Sequence, residues 1–157
     1  MKPVIKTFIF LVGFLSFAQV ALPCTVTTTG IIFSNYDVFS PLPLNTTGTV
    51  TVTCPDTPPV DAVISIGSSP NSGGFIPRQM KHSTLPDFLS YNLYIDAAGT
   101  AVWGDGTGGT QTVTLNNVKA SKNKPKPVIT TIYGIAPPLQ NVAVGTYNDI
   151  LTVTVTP

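Results

Sequence analysis

At 157 residues the chain has room for one domain with its own core, and two would be cramped. A formal charge of +1 gives no electrostatic case for nucleic acid; with 10% charged against 43% hydrophobic residues, the surface must be Thr, Ser, Asn, Gly and apolar groups, which favours association. One His and no Glu leave little material for acid–base or metal chemistry.

Lys2 and Lys6 lead into an apolar run over residues 7–18 containing Phe8, Ile9, Phe10, Leu11, Val12, Phe14, Leu15 and Phe17, the layout of a secretory signal peptide. The run is shorter than the roughly 20 apolar residues that cross a bilayer, so no membrane span is expected in the mature chain. Ser16 and Ala18 place the expected cleavage before Gln19, with the bond after Ala21 as the alternative. Residues 1–18 are therefore assigned as leader and residues 19–157 as the domain. Loss of Lys2 and Lys6 leaves six basic side chains against seven Asp, a net charge near −1. Pro23 stands before Cys24 where a lipoprotein signal has a small residue, which argues against a lipid-modified terminus.

Cys24 and Cys54 are the two cysteines, and export places them in an oxidising compartment where such a pair becomes a disulfide. Closing a loop of this length destabilises the unfolded chain by roughly 3 to 4 kcal/mol on the chain-entropy model. A metal site or a pair of reactive thiols lacks partners, since His82, the one histidine, is distant in sequence.

Strict alternation over residues 49–54 and 151–156 predicts two half-buried strands, with Val50, Val52 and Cys54 on one face and Leu151, Val153 and Val155 on another. Residues 24–29 repeat the pattern more weakly. Further β-rich runs are residues 60–66, 88–95, 100–103, 111–115 and 128–135. Turn clusters separate them at residues 41–43, 55–59, 67–74, 96–99, 104–109 and 137–138. No helix is predicted after the leader. The pattern indicates an all-β protein, and a cystine near the start of a domain this size suggests an immunoglobulin-like β-sandwich.

No catalytic, cofactor-binding or metal-binding residue is assigned. His82, Ser83 and Asp87 are read as chance neighbours in a polar loop, not a nucleophilic triad. The glycines of residues 103–110 precede a strand-like run, whereas phosphate-cradling loops open a helix, so a tight connection is expected. Asp105 has too few neighbouring carboxylates for calcium. Asn45-Thr46-Thr47 matches a glycosylation sequon, which is given little weight. Residues 118–127 hold four of the eight basic side chains and two prolines, and read as a solvated loop.

Tyr91-Asn92-Leu93-Tyr94, then Val102-Trp103-Gly104-Asp105-Gly106 with Gly108-Gly109-Thr110, then Ile132-Tyr133-Gly134, Gln140 and Gly145-Thr146-Tyr147-Asn148-Asp149 together resemble the spore coat U domain family. Upstream, Cys24, Phe33, Tyr36-Asp37, Gly48, Cys54, Gly67 and Arg78-Gln79-Met80 fall in the family's order, so the resemblance covers essentially the whole mature chain. Two positions depart from the pattern: Ser34 follows Phe33 where Gly is usual, and Ile135 replaces an Arg expected soon after Tyr133-Gly134.

That family includes archaic, Csu-type chaperone-usher pilus subunits and a spore coat protein. The resemblance implies an incomplete sandwich that lacks its last strand, leaving a groove filled first by a periplasmic chaperone and then by a neighbouring pilus subunit, with an outer-membrane usher as further partner. The final predicted strand begins near Tyr147 and leaves no residues for another. Val26, Ile32 and Phe33 on one side and Leu151, Val153 and Val155 on the other are the expected groove residues. After cleavage, only residues 19–23 precede Cys24, too few for a strand of about ten residues to be donated. The expected role is a secreted structural or adhesive subunit of a pilus or surface coat, reaching the cell surface through the periplasm, at an end of the fibre. The alternative is a stand-alone secreted module that binds carbohydrate or a surface through an exposed Trp103 and the lysine-rich loop.

Overall fold

A computed structural model describes residues 24–54, 60–118 and 126–156. The assigned leader and most of the lysine-rich loop lie outside the described residues. Among the described residues every regular element is a strand: β1 (Thr25–Thr29), β2 (Leu44–Thr53), β3 (Val60–Ile66), β4 (Arg78–His82), β5 (Phe88–Tyr94), β6 (Val113–Val118), β7 (Val128–Ala136), β8 (Tyr147–Asn148) and β9 (Val153–Thr156). They form two antiparallel sheets ordered β1-β2-β7-β5-β4-β8 and β6-β3-β9.

One core fills the space between the sheets. Gly48, Val50, Val52 and Cys54 alternate inward on β2, and Ala62, Ile64 and Ile66 do so on β3, as the period of two requires. Between them pack Leu89, Tyr91 and Leu93 of β5, Ile132 of β7 and Trp103. Trp103 is fully buried, and its indole N–H donates to the Ile64 carbonyl at 3.1 Å.

Two predicted elements differ, and one strand was not predicted. Residues 100–103 form no strand; Val102 and Trp103 make only isolated bridges to Tyr94 and Gln111. β4 forms over Arg78-Gln79-Met80-Lys81-His82, a run poor in β-branched residues, because its alternation brings Arg78, Met80 and His82 inward against β5. The strand predicted from Tyr147 onward is divided into β8, in the first sheet, and β9, in the second. Asp149 makes the corner: its carboxylate accepts the Ile150 amide and the Asn71 side-chain amide, both at 3.0 Å, and the Tyr91 hydroxyl at 2.7 Å.

Arg78 sits at the seam between the sheets and is wholly buried without a carboxylate bonded to it. Its guanidinium donates to the carbonyls of Gly67 at 3.0 Å, Trp103 at 2.8 Å and Ile66 at 3.4 Å, and to the Asn92 side-chain carbonyl at 2.9 Å. Burial lowers its pKa, and nearby Tyr91 and Asp149 act in the opposite sense.

Candidate functional site

Among the described residues β1 and β9 each have a single neighbour, and no strand pairs with their outer edges. Residues opposed across antiparallel strands share a face. Val26 and Thr28 stand opposite Val52 and Val50, and Val153 and Val155 stand opposite Ile66 and Ile64; all four therefore face the core side. Val50, Val52 and Ile64 are 0% exposed, yet Val26 is 37% exposed, and Val153 and Val155 are only partly buried. The interior is covered one strand in and uncovered at both rims.

Between the rims lies a cleft of about 260 Å³, with Thr28 and Thr29 on one lip, Leu151 and Val153 on the other, and Ile66, Met80, Tyr91, Leu93 and Ile132 beneath. An apolar cavity of roughly 150 Å³ accommodates benzene, so this one has room for more than one apolar side chain. The disulfide Cys24–Cys54, with an S–S distance of 2.07 Å, ties the first lip to β2 on the inner face. After β1 the chain crosses β2 and β7 at Gly48 and Gly134, both buried. A Cβ on Gly134 would lie 3.0 Å from Ile31 and 3.1 Å from Phe33, and one on Gly48 would lie 2.8 Å from the Thr29 carbonyl oxygen. The two glycines thus make the hollow in which Ile31 and Phe33 close one end of the cleft.

Of the groove residues read from the sequence, Phe33, Leu151 and Val153 line this cleft. Val26 and Val155 lie on the same inner face beyond it, and Ile32 is 81% exposed while its neighbour Ile31 lines the cleft. Tyr147 and Asp149 line the cleft from β8 and the corner, and Tyr91 lines its floor. Burial, aided by the bond to Asp149, raises the Tyr91 pKa. Tyr147 donates to Asp87 at 2.9 Å, and desolvation followed by that bond pushes its hydroxyl up to about 12.

The remaining motif residues are structural. Gly104 leaves no space for a Cβ beside Thr110, and Gly145 leaves none beside His82. Asp105 accepts the amide and hydroxyl of Thr107 at 2.9 Å and 2.6 Å, with Gly106 at a φ of 88°, fixing the connection after Trp103. Tyr133 belongs to the opposite face of its sheet.

His82, Ser83 and Asp87 are not arranged as a triad. The His82 Nδ1 accepts amides of Thr84 at 3.1 Å and Leu85 at 3.0 Å, which leaves Nε2 to donate to the Val144 carbonyl at 3.3 Å. The Asp87 carboxylate accepts from Ala143 and Phe88 amides and from Tyr147. Sequence reasoning missed Gln140 as a structural device: its side-chain amide accepts from the Ser90 N–H and donates to the Ser90 carbonyl, both at 2.8 Å, continuing the ladder along β5 like a strand residue.

The described residues form a disulfide-tied all-β domain with a core edge left uncovered, and the comparisons agree on the fold. The Spore Coat Protein U domain profile matches residues 7–154. Protein U of Myxococcus xanthus is 33% identical over 135 residues, spanning 78% of this chain and 70% of its own. Among solved structures, the crystal structure of the CsuC-CsuE chaperone-tip adhesion subunit pre-assembly complex from archaic chaperone-usher Csu pili of Acinetobacter baumannii matches 87% of this chain with a TM-score of 0.54 and 19% identity. That match spans 40% of the other chain and speaks for the fold. The chain belongs to the Spore Coat Protein U domain family.

Proposed function

We propose that this chain is a structural or adhesive subunit of a chaperone-usher type pilus or surface coat, and that it assembles by accepting a strand from another chain. In this reading residues 1–18 direct export, residues 19–157 form an incomplete immunoglobulin-like sandwich, and the cleft between β1 and β9 receives the missing strand. The observation that carries it is the half-uncovered inner face of two strands whose outer edges are unpaired. An extended segment laid there gains backbone hydrogen bonds from the free edges, and its alternate side chains enter the apolar floor. Left open, such an edge invites aggregation. A periplasmic chaperone fills it first, and a neighbouring subunit replaces the chaperone at the outer-membrane usher. An end-of-fibre position follows if the processed chain has only residues 19–23 before Cys24, which amino-terminal sequencing of the secreted protein decides.

Export to the periplasm with and without the cognate chaperone tests the reading. A soluble one-to-one complex is expected with the chaperone and degradation or aggregation without it; Val153→Arg, which places a charge in the cleft, is expected to abolish the complex. A soluble, cooperatively unfolding monomer obtained alone overturns strand capture. The stand-alone binding module loses its stacking surface, because Trp103 is fully buried.

A further inference from the structure

The face of the six-stranded sheet opposite the cleft carries a second hollow of about 460 Å³, bounded by Asn45, Thr47, Ala97, Tyr133 and Ile135. Thr47 pairs with Tyr133 across β2 and β7, and Tyr133 pairs with Tyr94 across β7 and β5, so these three form one row. Asn45 and Ile135 belong to the next row on that face. All are out of phase with the inward Gly48 and Ile132, which places the hollow outside the core.

The turn after β5 supplies a wall. Asp96 accepts the amides of Thr100 at 3.1 Å and Ala101 at 2.8 Å, which closes the turn tightly. Gly99, at a φ of 70°, packs so close to Ile135 that a Cβ would stand 2.7 Å from it. Ala97 is thereby held at the rim.

The lining is uncharged. Among the described residues no side-chain partner engages the Asn45 amide, the Thr47 hydroxyl or the Tyr133 hydroxyl. An anionic ligand would meet no cation in the lining, and a wholly apolar one would strand three polar groups. An aromatic ring flanked by neutral donors and acceptors in an open hollow instead suits a ligand with an apolar face and a polar perimeter. A pyranose has that shape: its C–H face lies on the ring while its hydroxyls reach the amide and hydroxyl beside it.

We propose that this face binds a neutral oligosaccharide. Thr46 and Gly134 complete the lining of the hollow, which has no lining residue in common with the cleft.

Calorimetric titration of the full secreted chain, in whatever complex it is purified, with cellotetraose, chitotetraose and mannotetraose tests the proposal. Saturable binding of at least one is expected, with tetragalacturonate bound at least about tenfold more weakly. Tyr133→Ala is expected to weaken binding about tenfold or more. Thr47→Val, an exposed change that keeps shape and strand propensity while removing the hydroxyl, is expected to weaken it about fivefold with an unchanged unfolding midpoint. Absence of saturable binding to all three neutral sugars, equal binding of tetragalacturonate, or binding untouched by both Tyr133→Ala and Thr47→Val overturns it.

Discussion

On the flank where β4 and β5 meet the end of β3, the sheets are joined by a buried guanidinium and an indole: Arg78 holds the carbonyls of Gly67 and Trp103, and Trp103 holds that of Ile64. On the flank of β1 and β9 no comparable join spans the two strands, and inward valines remain partly open. The same alternating valine–threonine pattern therefore yields sealed core in β2 and open rim in β9. Depth of burial follows from the number of neighbouring strands, a property of the sheet and not of the residue.

The largest break in that contrast is expected at Arg78. Arg78→Met strands several buried acceptors at once and should lower unfolding free energy by about 3 to 5 kcal/mol, measured by urea denaturation of whichever soluble form is obtained. A matched pair of smaller changes sharpens the comparison. Val52→Ala removes methyls from the sealed core and should cost roughly 2 kcal/mol of the same unfolding free energy, whereas Val155→Ala at the open rim should cost less than about 1 kcal/mol. Equal costs would mean that the rim is already covered.

The smallest effect concerns the clasp on β8. The Ala143 amide above all, then the Tyr147 hydroxyl and the Phe88 amide, hold the Asp87 pKa below its ordinary value of 3.8. A carboxylate with a depressed folded pKa stabilises fully above its unfolded value, and that stabilisation is lost as pH falls through the folded one. Stability should therefore decline below about pH 4, and Asp87→Asn should flatten that decline in acid titrations followed by circular dichroism.

Much of this was legible in the sequence. Alternation over residues 49–54 and 151–156, two cysteines and regular turn clusters suffice for an antiparallel, disulfide-tied β protein. β4 was hidden because Arg78 is charged by type and buried by context; only the carbonyls it meets, from residues 66, 67 and 103, make the burial tolerable. The division of the last strand depends on the Asp149 corner, whose partners Asn71 and Tyr91 lie far back in the chain. The expected groove includes Ile32 together with Phe33, but the ladder ends at Thr29 and the crossing over Gly48 and Gly134 turns Ile31 to that side instead. The outer hollow could not be read linearly at all, since β2, the turn after β5 and β7 meet there only through the sheet order.

The cystine between β1 and β2 also sets a timetable. β1 is a five-residue strand with one neighbour and little cover on its inner side, so without the Cys24–Cys54 bond its hold on the sheet is weak. Under the proposed strand-capture reading, a chain that still carries two thiols offers a fraying end where a firm lip is needed. That reading then requires thiol oxidation ahead of docking, so a compartment short of oxidant would be expected to stall assembly.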